Sequence, residues 1–349
     1  MVSQRLPVQP WLFSRNLDLA AFGGSALVAV ALTTLGWKLG LLQAPLPLWV
    51  WLAVVVGVDV AHVHATWLRT YLDPGELKAH PIRYALIPLA AWLLGAMLHS
   101  HSGHLFWRVL AYLAVFHFIR QQLGWVALYQ RREPLLHAFD RHLDRATVYA
   151  ATLWPLLWWH GHLPRAFAWF LDGDFAAVAA TSWSRATLPV YLALLTVFGL
   201  RQAQRWMKEG AFPIGKSLIV ATTALTWYLG IVAFNSDWAF TLLNVLPHGI
   251  PYMVLVWHQS KLEPAKPGAA GVLLGAGPWV FAAMLIAVAY GEEWLWDLGI
   301  WHDHPALFGE GWNLSGMAQV LIVPLLALPQ ATHYLLDGFI WKARSPTVP

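Results

Sequence analysis

Residues 105–128 read LFWRVLAYLAVFHFIRQQLGWVAL. The stretch is long enough to cross a bilayer, which takes about 20 residues of helix. Yet its second half, AVFHFIRQQLGW (114–125), carries His117, Arg120, Gln121 and Gln122. Such groups are costly at bilayer depth unless they are paired, bound or turned towards a cavity. The segment therefore predicts a membrane helix with one working face.

The rest of the chain agrees with a membrane setting. Of its 349 residues, 58% are hydrophobic and only 11% charged. A soluble domain carries about 25% charged residues. The chain reads as an all-α, polytopic membrane bundle and as one transmembrane domain over 1–349. There is no cysteine, which excludes disulfides, thiolate metal sites and iron–sulfur clusters. The 23 tryptophans suit membrane interfaces. The 16 histidines do not suit lipid, so their number points to a function. The net charge of +4 reports topology and gives no sign of a nucleic-acid partner.

Ten spans are expected, near 19–42, 46–67, 83–99, 105–128, 146–160, 186–200, 216–235, 238–257, 271–290 and 317–341. Segment 164–180 (PRAFAWFLDGDFAAVAA) is read as a half-helix or an interfacial helix. With the N-terminus inside, 17 of the 22 Lys and Arg fall on the cytoplasmic side, including Arg5, Arg15, Lys342 and Arg344 in the tails. That excess sets the orientation, with both termini cytoplasmic. The N-terminus has no signal-peptide cleavage pattern, so the first span is expected to stay as an anchor.

The membrane-depth histidines select particular spans. His62 and His64 lie in the second, His117 in the fourth, His248 in the eighth and His333 in the tenth, and His258 ends the eighth. His62 precedes the basic flank at Arg69 by seven residues, and His117 precedes Arg131 by 14. His248 precedes Lys261 by 13, and His333 precedes Lys342 by nine. At the rise of an α-helix these offsets differ by only about 10 Å in depth. Four helices can thus aim imidazoles at one point, as bundles do when they build metal sites. His62, His117, His248 and His333 are the expected ligands, with His64 and His258 as further candidates.

Each of the four has polar company one turn away: Asp59, Gln121, Tyr252 and Asp337. A metal-bound histidine commonly gives its other N–H to a carboxylate or carbonyl, which fixes the tautomer. Asp59 and Asp337 are expected in that role. Arg120 is expected to pair with one of those acids.

The polar segments resemble the Brp/Blh family of membrane β-carotene 15,15′-dioxygenases. LPQATHYLLDGFIWK is similar to that family's final Pro-His segment. LPHGIPYMVLVWHQ resembles its third histidine segment, with Trp257 and Gln259 at matching offsets from His248. FHF around His117 resembles the second segment, and DVAHVHATW is a looser counterpart of the first. Tyr252 stands where the family has a second histidine, and Asp59 precedes His62 where the family's acid follows. The resemblance implies a bacterial or archaeal inner-membrane protein with one Fe(II) on the histidines, acting with O₂ on a carotenoid, isoprenoid or other lipid. In that reading Tyr252 and Gln121 take part in catalysis, and Phe116, Trp125 and Trp257 line a substrate pocket.

Two other classes remain open. HSHSGH (His99, His101, His104), HGH (His160, His162) and HDH (His302, His304) fall outside on this topology, and short histidine tracts bind metal. A transporter for copper, zinc or nickel is therefore an alternative. A b-type haem on two of the buried histidines is another.

Overall fold

The structure, a computed structural model, describes residues 11–133, 136–209, 213–262 and 269–341. Among them there is no strand. The principal helical runs are α1 (Arg15–Lys38), α2 (Leu48–Arg69), α3 (Pro81–His101), α4 (Gly103–Arg131) and α5 (Ala138–His160). They continue with α6 (Thr181–Glu209), α7 (Ile214–Ala233), α8 (Asp237–Leu262), α9 (Pro278–Trp296) and α10 (Gly316–Ile340). Each expected segment overlaps one of these runs, but the ninth, 271–290, is broken at Ala276 and Gly277, between a short helix at Ala269–Gly275 and α9.

Seven of them (α1, α2, α3, α6, α7, α8 and α10) are long and apolar enough to cross a membrane. The other three, α4, α5 and α9, are diluted by their own polar residues. In α4 these include His117 and Gln122, which are buried inside the bundle. Low hydropathy there reflects an inward polar face.

Burial ranks the helices. In α8, 78% of the apolar window is buried, against 11% in α3, so α8 runs through the middle and α3 along the rim. α8 packs on α1 and α2, and α10 packs on α2, α3 and α4. The helices α2, α4, α8 and α10 therefore surround one interior point. Gly249 lets α8 approach α2: a Cβ there would stand 2.7 Å from a Val58 methyl and 3.4 Å from His62 Nδ1.

α2 is not a regular α-helix. Residues Trp51–Val60 follow wider i→i+5 turns, and the α-helical pattern returns at Ala61, just before His62. Such widened turns recur at functional sites. α10 changes direction at Ala327, where Gly316–Leu326 gives way to Leu328–Ile340.

Segment 164–180 forms neither a half-helix nor an interfacial helix; it is an irregular strap. Pro164 and Gly173 interrupt any helical ladder, and the Asp174 carboxylate takes the N–H groups of Trp169, Phe170 and Leu171. The strap turns Phe167 and Phe175 into the core, where both rings pack on Trp159.

A network of charges joins α4–α7 at one end. Lys216 lies 2.9 Å from Asp144 and 3.1 Å from Glu133, and Arg205 lies 2.7 Å from Glu133. Arg201 grips Asp140 with two nitrogens at 2.6 and 3.0 Å. That guanidinium holds the Asp140 carboxyl below the usual carboxylate range. Asp18 ties the chain's start to α4 by accepting from Leu12 N and from the Tyr129 hydroxyl, both at 2.6 Å. Arg5, Lys342, Arg344 and the 263–268 loop, which entered the topology argument, lie outside the described residues.

Candidate metal centre

His62, His117, His248 and His333 meet. One ring nitrogen from each lies within 4.8 Å of all the others, and all four side chains are buried. The rings stand mostly edge-on: His62 is 4.8 Å from His248 and 5.0 Å from His333, and His117 is 4.5 Å from His333. Metal–imidazole bonds of about 2.0–2.1 Å place two ligating nitrogens roughly 3 to 4.2 Å apart. The cluster is close to that spacing.

His117 and His333 meet through their Nε2 atoms at 3.1 Å, while the cluster-facing nitrogens of His62 and His248 have no hydrogen-bond partner. His62 Nδ1–H donates to the Val58 carbonyl at 3.2 Å, and its Nε2 has no partner. Neither ring nitrogen of His248 has one. Buried polar atoms are nearly always satisfied. Three orphaned nitrogens in one cluster of imidazoles fit a bound cation, and the donor set suits iron, copper or zinc.

His333 is held from behind by a directed chain. Its Nδ1 lies 2.6 Å from Thr66 Oγ1, which lies 2.8 Å from the Tyr252 hydroxyl, which donates to Asp337 Oδ1 at 2.7 Å. Trp341 Nε1 adds a donor to Tyr252 at 3.4 Å. With Tyr252 donating to Asp337, the Thr66 proton points to Tyr252, and Thr66 accepts from His333 Nδ1–H. The lone pair of His333 then sits on Nε2, facing the cluster. The other oxygen of Asp337 is 3.6 Å from His117 Nδ1. Asp59 lies 3.8 Å from His62 Nδ1. Both expected carboxylates therefore border the cluster.

Gln121 adjoins His117, and its amide donates to the His248 carbonyl at 2.9 Å, tying α4 to α8. Phe118 fixes the His248 ring by stacking on it at 3.4 Å with planes 8° apart.

Several expected residues lie elsewhere. His64 faces α9, with Nε2 2.8 Å from Glu292, because two residues along a helix is a turn of about 200°. His258 packs on Phe13. Phe116 is 58% exposed on the outer surface, one position round the helix from His117. Trp125 packs on Phe22 and Trp257 on Phe281. Arg120 is exposed beside Phe116, and neither Asp59 nor Asp337 is its partner. Thr66 and the His64–Glu292 pair were not singled out by sequence, and Phe118, expected with the other aromatics to line an apolar pocket, instead stacks on His248. The available signal for Thr66 was its place one turn after His62, on the same face.

Three of the outer-loop histidines are engaged by protein groups. His104 bonds the Gly173 carbonyl at 2.8 Å, His160 the Tyr112 hydroxyl at 2.8 Å, and His162 the Trp158 carbonyl at 2.6 Å. Among the described residues only the four buried histidines form a group able to hold a metal.

A cavity of about 310 Å³ lies beside the cluster. Asp59 and Tyr334 line it, and the Tyr334 ring is 5.1 Å from that of His117. Glu293, Asp297, Asp303 and His304 line it as well.

The chain is thus a helical, membrane-type protein with a buried four-histidine centre, and no protein-family model, no curated protein and no solved structure matches it.

Proposed function

We propose that the protein is a multi-pass membrane oxygenase that holds one non-haem iron on His62, His117, His248 and His333. Its substrate is a hydrophobic molecule dissolved in the bilayer: a carotenoid, another isoprenoid or a fatty acyl chain. The observation that carries this reading is the convergence of four buried imidazoles from four helices within 4.8 Å. The resemblance of the same segments to the Brp/Blh dioxygenases turns the choice among imidazole-binding metals to Fe(II), with O₂ as co-substrate. In the same reading the chain crosses ten times with both termini cytoplasmic, as its basic loops favour.

Iron bound there would supply O₂-dependent oxidation of the lipid, as a resident metal does in such enzymes. The chain's own residues hold and shield the site. Thr66, Tyr252 and Asp337 orient His333, and Phe118 and Gln121 position His248 and its helix. Tyr252 is committed to Asp337 and Thr66, so it acts as an orienting group. Burial of all four histidines keeps bulk water out.

Two observations bear on the alternatives. His104, His160 and His162 are taken up by protein groups, and among the described residues the outer loops form no cluster able to hold a metal, which counts against a collecting site for a transporter. A haem between two of the buried histidines needs the plane between them, and the other two rings fill that space.

The test is metal content per chain on detergent-purified protein, with an optical spectrum, for wild type and for alanine variants at the four histidines. About one iron per chain without a Soret band, lost in each variant, supports the reading. A Soret band, or metal retained in all four variants, overturns it.

A further inference from the structure

The cavity beside the cluster has an unusual lining. Its charged side chains are Asp59, Glu293, Asp297 and Asp303, and no lysine or arginine faces it among the described residues. Asp297 is 3% exposed. One of its oxygens accepts from the backbone N–H of Asp303 and His304 at 2.8 and 2.9 Å, while the other, Oδ2, is buried with no partner. Gln330 Oε1 is a second buried acceptor without a partner on the same wall. Unsatisfied acceptors in a recess lined by carboxyl groups fit a cation.

The acceptors are also in series. Asp297 and Glu293 are four residues apart, one turn of α9 and its continuation. Glu293 lines the same cavity as Asp59, and Asp59 is 3.8 Å from His62. Stepping stones therefore run from the loop at Asp303 to the first imidazole. The alternative occupant for an acidic, tryptophan-rich recess is an organic ammonium, which needs open aromatic faces. Here the indoles pack on one another: Trp296 stacks on Trp301 at 5.7 Å, and Trp107 lies 5.2 Å from Trp301. The lining thus favours a small inorganic cation.

We propose that this cavity is the loading vestibule of the metal centre: Asp297, Glu293 and Asp59 capture a divalent cation and pass it to His62. The inference rests on the four-histidine reading above. The carboxylates speed delivery, and the imidazoles set the final affinity. An acid-lined cleft of low dielectric raises cation on-rates by about 10- to 1,000-fold, an effect that salt weakens.

The experiment follows Co(II) uptake by metal-stripped, full-length protein in nanodiscs of neutral lipid. The rate is read from growth of the cobalt–imidazole visible bands, and the final stoichiometry from elemental analysis. Wild type is compared with Glu293→Gln and Asp297→Asn; the asparagine keeps an acceptor for the Asp303 and His304 N–H groups. The expected result is uptake slowed about tenfold or more in each variant. The end point of one Co(II) per chain stays the same, and the wild-type rate falls with salt more steeply than the variants'. Reaching that end point also reports that the variants are folded. Unchanged rates with normal loading overturn the vestibule and leave the metal centre intact. A variant that loads less than one Co(II) at equilibrium overturns delivery, because the carboxylate is then a ligand. Wild type that takes up no Co(II) overturns the metal centre and the vestibule together.

Discussion

The Nε2 atoms of His117 and His333 face each other 3.1 Å apart in the centre of the protein. At that distance the two atoms either share a hydrogen bond, His117 Nε2–H donating to the lone pair of His333, or turn both lone pairs to a metal ion. A metal serves all four rings at once, whereas a proton serves two. Metal binding should therefore stabilise the fold. Adding a strong chelator to wild type is expected to lower Tm, with a loss of about 2.7 kcal/mol when the metal had been at 100 times its Kd. His117→Ala and His333→Ala should show no chelator-dependent shift. Differential scanning fluorimetry with and without chelator checks this.

Thr66 acts on the metal through His333. Thr66→Val keeps the shape and removes the hydroxyl, which leaves His333 Nδ1 and Tyr252 without their link. Metal affinity is expected to fall about 10- to 100-fold, the usual effect of losing a group that orients a ligand. Thr66→Ser should restore it. Competition against a coloured chelator measures both, and equal affinities for Val and Ser would rule out the orienting role.

Gly249 sets the spacing between α8 and α2. An added methyl would stand 2.7 Å from Val58 and 3.4 Å from His62. Gly249→Ala is expected to cost about 1–3 kcal/mol from overpacking. It should also weaken metal binding, because His62 and His248 are pushed apart. A normal Tm with normal metal content would refute this.

The Asp140–Arg201 pair should show in the acid response. Arg201 lowers the Asp140 carboxyl below its ordinary value. A carboxylate with a depressed folded value contributes stability above its unfolded pKa of about 3.9 and loses it as pH falls through the lower folded value. Asp140→Asn should therefore destabilise the fold at pH 7 by about 1–3 kcal/mol, read as a lower Tm and less than for a fully buried pair because Arg201 reaches solvent. The gap between variant and wild type should close below pH 4. A gap independent of pH would mean the pair contributes through packing alone.

How far the sequence predicts this arrangement depends on the kind of signal. The four histidines were legible because apolar surroundings and basic flanks gave each a depth, and equal depth is what convergence requires. Rotation about the helix axis was harder. The motif FHF is symmetric in sequence, yet only Phe118 stacks on His248, while Phe116 points outward. Thr66 was invisible because a threonine in an apolar helix ordinarily bonds its own preceding turn, as Thr152 does with Val148. The strap at 164–180 misled because its composition is that of an interfacial helix. Its conformation is decided by Pro164, Gly173 and the carboxylate of Asp174, which captures three N–H groups. The mean hydropathy of α4 is low because an inward polar face subtracts from an average taken over the whole helix.

The ligand set has one more consequence. Four neutral imidazoles leave a divalent ion with its full double charge, deep in a low-dielectric interior. Asp59 and Asp337, at 3.8 and 3.6 Å from ring nitrogens of His62 and His117, would supply two negative charges when ionised. The sum would then be electroneutral for a +2 ion. A divalent ion would thus be favoured there over a monovalent or trivalent one, either of which leaves an unbalanced buried charge. Neutralising one acid, as in Asp337→Asn, shifts that balance towards the lower charge and should raise the reduction potential of the bound metal.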